Sequence, residues 1–204
     1  MKVIVAKSAG FCYGVSRAVE LCKKTADEHK KCLTLGPIIH NEHVINDLEK
    51  IGVHAVNDVS EISEGSTVVI RTHGAARSDY EALEALSCNI IDATCPDVKK
   101  IHDIVRNESN NGRLIFIIGE KDHPEVSAIA GWCKNYEIFQ SNLELSERLN
   151  TSNYTDIPIS VVFQTTSTND EYNLCCNIIK KECTNIKIFD TICNATCRRQ
   201  QEAV

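Results

Sequence analysis

The sequence predicts an α/β protein assembled from small α/β domains in a pseudo-threefold arrangement, and three observations carry that expectation. Apolar positions recur alternately at spacings of two and of about 3.6, so strand patterns and helix patterns take turns along the chain. The strand-like runs are continuously apolar rather than alternating, as strands covered on both faces require, which favours parallel or mixed sheets. Three of those runs are followed by a cysteine that opens the next helical pattern.

Taken in order, "KVIVA" (residues 2–6) reads as a first buried strand, and Val15, Ala18, Val19, Cys22 and Ala26 follow at helical spacing behind Gly14. Further strands are expected at "CLTL" (32–35), "TVVI" (67–70), "NIID" (89–92), "RLIFII" (113–118), "ISVVF" (159–163) and "IKIF" (186–189). Each is short and rich in β-branched residues, and helical patterns separate most of them.

Bulk properties exclude several function classes. A chain of 204 residues suits one large or two small domains, and 43% hydrophobic composition is ordinary for a packed core. A net charge of −6 without clustered Lys and Arg argues against a nucleic-acid surface. No apolar run approaches the roughly 18 residues of a membrane-spanning helix, and no export leader is expected. The expected location is the cytoplasm, with no membrane partner.

Eleven cysteines, an odd count, do not suit a disulfide framework in such a chain. None are spaced C-x-x-C, which removes the commonest zinc-ribbon, ferredoxin and thioredoxin readings. A bound metal must therefore draw its ligands from distant parts of the chain.

Cys12, Cys95 and Cys193 are the candidates, each at the carboxyl end of an expected strand and just before a helix. They lie about 80 to 100 residues apart, the length of one small α/β domain. Ligands of open α/β sheets bind outside these strand ends, where helix N-termini offer free N–H groups and lower a thiol's pKa. Cys22, Cys32, Cys88, Cys133, Cys175, Cys176 and Cys183 fall inside helix or strand patterns and read as small buried hydrophobes. Cys197, one helical turn after Cys193, is a lesser ligand candidate facing the same pocket, and its role stays open.

Three thiolates leave a tetrahedral ion or a cubane cluster one ligand short, the mark of a reactive site. Zinc there suits hydrolysis, and an iron–sulfur cluster suits redox chemistry on a substrate. His40 in "GPIIHNEHV", His73 in "RTHGA" and His123 in "EKDHPEV" each follow a strand, and the first and third share a G…H…E…V pattern. Histidines, threonines and helix starts of this kind form a pocket for phosphate or diphosphate. Glu125 reads either as a first-turn helix residue or as a proton donor with a raised pKa. Thr165 and Thr166 in "QTT" read either as helix caps or as a relay that also holds a substrate oxygen.

Together, "GFCYGVSRA", "GPIIHN", "THG", "DATCPDVKKIH", "DHPEV", "QTT" and "TICNATCRRQ" resemble the landmarks of the LytB/IspH family, the 4-hydroxy-3-methylbut-2-enyl diphosphate reductases, in order and over essentially the whole chain. The resemblance implies reductive removal of an allylic hydroxyl, giving isopentenyl and dimethylallyl diphosphates, the last step of the methylerythritol phosphate route. It implies a 4Fe–4S cluster on Cys12, Cys95 and Cys193, with diphosphate held by His40, His73 and His123. It further implies Glu125 as proton source, His123 placed for proton delivery, Thr165 on the substrate hydroxyl with Thr166 beside it, and ferredoxin or flavodoxin as electron donor. Domains are then expected at 1–95, at 96–192 and at 193–204, the last being the start of a mostly absent third. In the family the first strand packs with that third domain. The alternative function is a fragment that binds cluster or diphosphate without turnover.

Overall fold

The computed structural model describes residues 3–29 and 32–203. The chain divides into two compact units: Phe11–Lys99 forms one, and the described residues before Phe11 join those from Lys100 onward in the other.

The first unit contains α1 (Tyr13–His29), β1 (Cys32–Leu35), α2 (Glu42–Glu49), β2 (Val53–Val56), a 3₁₀ turn (Val59–Glu61), β3 (Thr67–Ile70), α3 (Arg77–Ala85) and β4 (Asn89–Asp92). The next helix, α4 (Pro96–Asn110), crosses the division after its first turn. The second unit continues with β5 (Leu114–Ile118), α5 (Pro124–Ala130), β6 (Tyr136–Phe139), α6 (Asn142–Thr151), β7 (Ile159–Phe163), α7 (Asn169–Glu182), β8 (Ile186–Ile188) and α8 (Asn194–Ala203).

Each unit is built on a four-stranded sheet, ordered β2-β1-β3-β4 in the first and β6-β5-β7-β8 in the second. All pairings are parallel. The two orders become identical when four is subtracted from the second, so the internal repetition expected from sequence appears as repeated topology. In both sheets the strand order reverses beside the first strand of the unit, between β1 and β3 and between β5 and β7. That is the switch point at which open parallel sheets bind ligands.

The central strands explain themselves. "LIFII" and "ISVVF" are buried along nearly their whole length because helices cover both faces of the sheet. On one face Ile115, Ile117 and Val162 meet Ile101 and Val105 of α4 and Val126 and Ile129 of α5. On the other, Phe116, Ile118, Val161 and Phe163 meet Leu145 and Leu149 of α6 and Cys175, Cys176 and Ile179 of α7. Each fully buried side chain of this size contributes roughly 1.5–3 kcal/mol. The first unit repeats the plan, with Ala18 and Cys22 of α1 and Leu48 of α2 against Cys32, Val53 and Val69, and Leu83 of α3 against Val68 and Ile70.

Three expectations need correction. The strand expected over "KVIVA" does not form among its described residues, and Lys2 lies outside them. Val3, Ile4 and Val5 are 74%, 78% and 77% exposed, and no described strand pairs with them. A β-branched run supplies propensity, but a strand exists only through a neighbour that takes its N–H and C=O groups. The segment after it is held from α8 instead: the Glu202 carboxylate accepts the Ser8 amide at 2.8 Å, and Arg199 donates to the Gly10 carbonyl at 2.6 Å. Two strands, β2 and β6, escaped the sequence reading, since both are four-residue edge strands with mixed burial. The run "IKIF" ends as a strand at Ile188, and "RLIFII" begins at Leu114.

Candidate cofactor and substrate site

The repeated topology places the candidate residues at matching strand ends, except Cys12, which was expected at a strand end and follows no described strand. Gly36 follows β1 and Gly119 follows β5, and each extends its ladder by one amide, Gly36 to the Val56 carbonyl at 2.7 Å and Gly119 to Phe139 at 2.9 Å. His40 and His123 each follow that glycine by four residues. Thr72 follows β3 and Thr165 follows β7, while Cys95 follows β4 and Cys193 follows β8. The correspondence reaches individual hydrogen bonds: the Cys95 amide donates to the Thr72 carbonyl at 2.9 Å, and the Cys193 amide to the Thr165 carbonyl at 3.1 Å.

In the first unit, Cys12 directly precedes α1, and its carbonyl accepts the Ser16 amide at 2.9 Å as the helix begins. Cys95 directly precedes α4, whose first residue, Pro96, has no N–H to satisfy. Burial pushes the Cys95 thiol up, the Asp97 and Val98 amides aimed at the sulfur oppose the rise, and the Asp97 carboxylate and then the Cys12 thiol add smaller raising contributions. Two thiols that feel one another, beside free helix N–H groups, form a donor set that suits a thiolate-ligated metal centre. Gly14 makes room for them: a Cβ there would lie 2.7 Å from the Cys95 sulfur.

His40 and His73 meet with ring centroids 4.8 Å apart and planes tilted by 42°. Their loops are tied below by Thr72, whose buried hydroxyl donates to the Ile38 carbonyl at 2.9 Å. Gly36, at φ +73°, lies directly against the Arg71 guanidinium, a close approach that only glycine allows.

The second unit holds the candidate proton chemistry. His123 is the N-cap of α5, and its Nδ1 accepts the Glu125 amide at 3.1 Å, so the proton of the neutral ring sits on Nε2. Here the two repeats differ, because α2 is capped by Asn41, one residue after His40. Glu125 is 3% exposed, and its two carboxylate oxygens accept the Thr165 amide and the Thr165 hydroxyl, both at 2.7 Å. Burial raises the Glu125 carboxyl above its ordinary value, and the two Thr165 bonds only partly oppose the shift. The preceding Gln164 folds over Gly119 and accepts the Glu120 amide at 3.0 Å.

Cys193 directly precedes α8, and its sulfur accepts the Thr196 amide at 3.3 Å and lies 3.0 Å from the Thr196 hydroxyl. Cys197 sits one turn on, its sulfur 4.0 Å from Asn169. Thr166 is exposed where Thr165 is buried, so the two threonines of "QTT" point into different surroundings.

All eleven cysteines are unpaired. Burial pushes Cys22, Cys133 and Cys175 up to about 12 and Cys32 to about 11, in keeping with small hydrophobes packed in the cores. Two residues to which the sequence reading gave no role, Thr72 and Arg17, belong to the frame of the site. The signal for Thr72 lay in aligning "RTHG" with "FQTT" as repeats. Arg17 had none beyond its helical distance from Cys12.

A family model described as "LytB protein" matches residues 3–204. The 4-hydroxy-3-methylbut-2-enyl diphosphate reductase of Geotalea daltonii is 39% identical over 203 residues, covering all of this chain and 70% of that protein. The reductase of the same name from Caldanaerobacter subterraneus subsp. tengcongensis is 36% identical over 207 residues, with the same coverage. A solved (E)-4-hydroxy-3-methyl-but-2-enyl diphosphate reductase superimposes with a TM-score of 0.82 at 35% identity, over 98% of this chain and 71% of that one. The Plasmodium falciparum reductase structure gives 0.87 at 28% identity, over 94% and 61%. With seven sequence landmarks, the repeated parallel sheets and these similarities in agreement, the chain belongs to the LytB family.

Proposed function

We propose that this chain carries out the reaction for which its relatives are named, the reductive removal of the allylic hydroxyl of 4-hydroxy-3-methylbut-2-enyl diphosphate, giving isopentenyl and dimethylallyl diphosphates. Cys12, Cys95 and Cys193 are the proposed ligands of a 4Fe–4S cluster. The donor set suits it: three free thiols, each immediately before a helix, with backbone N–H groups at the sulfurs of Cys95 and Cys193. When bound, the cluster supplies electrons one at a time and a Lewis-acidic iron for the leaving oxygen.

The reaction consumes two electrons and two protons, one proton leaving with the hydroxyl as water and the other ending on carbon. The single observation that carries the assignment is the Glu125 carboxyl, buried, raised in pKa and bound twice by Thr165. A carboxyl group raised by burial holds its proton to higher pH than a free glutamate and suits a proton donor, and the Thr165 hydroxyl offers a relay between it and a substrate oxygen. His40, His73 and His123 are the proposed diphosphate ligands, the last through Nε2–H, with Thr166 as an accessory contact. Ferredoxin or flavodoxin is the proposed electron source. The proposed location is the cytoplasm, since eleven unpaired cysteines suit a reducing compartment. Among the described residues no helix is long and apolar enough to cross a membrane.

The test is anaerobic iron–sulfide reconstitution followed by turnover with a chemical reductant. A brown protein that forms both diphosphate products is expected. A colourless protein that takes up stoichiometric zinc instead overturns the cluster, and a brown protein without turnover overturns the catalytic reading in favour of cluster binding alone.

A further inference from the structure

Arg17 is a half-buried cation in the second turn of α1. Its guanidinium does not meet a carboxylate: among the described residues no ion pair includes it. It forks instead onto two main-chain carbonyls far away in sequence, Nη1 to Thr94 at 3.1 Å and Nη2 to Asp92 at 3.2 Å. These are the last residue of β4 and the residue just before Cys95.

The Thr94 carbonyl stands past the β4 ladder and before α4, and the Asp92 carbonyl belongs to the last residue of an edge strand, so no regular partner awaits either. The same short loop is pinned elsewhere by the Asp92 side chain, which accepts the Thr94 amide at 3.0 Å and pairs with Lys99 at 2.6 Å. Those contacts fix the loop to itself and to α4. The Arg17 fork instead fixes it to α1, the helix that starts one residue after Cys12. Gly14, between Cys12 and Arg17 on the same helix, is the residue against which the Cys95 sulfur rests.

We propose that Arg17 is a positioning residue for the thiolate pair: its fork makes the separation of Cys12 and Cys95 a property of one rigid helix rather than of two loops. The proposal rests on the cluster reading given above. A planar guanidinium serves two carbonyls at once, and a lysine ammonium on a flexible stem serves one at a time without fixing their orientation.

Arg17→Gln and Arg17→Lys are compared with the unaltered chain and with Arg77→Gln, an exposed arginine paired to Glu81 on α3. Two quantities are measured: amide hydrogen exchange over residues 92–98 of the metal-free chain, and the anaerobic rate at which an iron chelator bleaches the reconstituted protein. For Arg17→Gln, faster exchange confined to residues 92–98 is expected, with bleaching faster by about tenfold or more, the usual range when an outer-shell partner of a metal ligand is lost. Arg17→Lys falls between, and Arg77→Gln behaves as the unaltered chain. Exchange and bleaching within about twofold of the unaltered chain overturn the proposal, as does exchange raised equally across β1 and β3, which marks general loosening. Failure of the unaltered chain to take up iron overturns the cluster reading instead, and the exchange result then decides on its own whether Arg17 holds the loop.

Discussion

Thr165 donates to both carboxylate oxygens of Glu125, through its amide to one and its hydroxyl to the other. Burial raises the carboxyl despite these bonds, so the protonated form persists to higher pH than in a free glutamate. Turnover is expected to fall as pH rises through this raised value. Glu125→Gln is expected to lower the rate by about 10²–10⁴-fold and to abolish that limb of the pH profile, with the visible spectrum of the cluster unchanged. An unaltered profile removes Glu125 from the proton path. The linkage to stability has the same sign: a folded-state pKa above the unfolded one gives stability fully present at low pH and lost as pH rises through the folded value. Denaturant midpoints of Glu125→Gln should not show that loss.

Gly14→Ala tests the packing of the Cys95 sulfur. An alanine for glycine inside a helix ordinarily stabilises it by about 0.8–1 kcal/mol. Here the new Cβ lies 2.7 Å from the Cys95 sulfur, closer than real contacts permit, and the thiol must move. Helical content by circular dichroism is expected to stay unchanged while iron retention falls. Equal retention by Gly14→Ala would count against the Cys95 sulfur as a proposed ligand.

What could be read in the sequence divides along locality. "LIFII" and "ISVVF" announce themselves because a central parallel strand is apolar on both faces. "VHAV" and "YEIF" do not, because an edge strand shows a shorter and more mixed pattern. "KVIVA" carries the right residues and forms no strand among those described, since pairing is decided by a neighbour that the run itself does not encode. The same division holds at the site. Cys95 and Cys193 were legible as strand-end cysteines, and the spacing of His40 and His123 behind Gly36 and Gly119 was legible as a repeat. The bond from Arg17 to Thr94 spans 77 residues of chain, and the pairing of Glu125 with Thr165 spans 40. No periodicity reports contacts at such separations.

Away from the site, the buried Glu108 organises an ion cluster that reaches the surface at Lys187. Its carboxylate oxygens accept the Ser160 hydroxyl at 2.8 Å and Lys187 at 3.0 Å, and one lies 3.2 Å from Arg113 Nε. Burial alone would raise this carboxyl, but Lys187 and Ser160, with Arg113 behind them, hold it below its ordinary value. A depressed folded-state pKa gives stability that is present above the unfolded value and lost as pH falls through the folded one. Glu108→Ala removes the carboxylate facing Arg113, which keeps its bonds to Ser160, Ile159 and Asn185, and a loss of about 1–3 kcal/mol in denaturant unfolding is expected. A loss below about 1 kcal/mol would place this cluster with ordinary exposed ion pairs.

The final prediction separates the two cysteines of α8 and its approach. Cys193 is anchored by its amide to Thr165, and its sulfur receives the Thr196 amide and lies 3.0 Å from the Thr196 hydroxyl, whereas the Cys197 sulfur has only a long contact to Asn169. The proposed ligand is therefore Cys193, whose sulfur the helix start already meets, and not Cys197. Cys193→Ser and Cys95→Ser are each expected to lose the iron–sulfur absorption, with Cys197→Ser and Cys88→Ser retaining it at the unaltered iron content. If Cys197→Ser loses iron and Cys193→Ser does not, the ligand passes to the second cysteine. The coordinating sulfur would then come from one turn inside α8, where the helix has already committed its N–H groups to its own carbonyls.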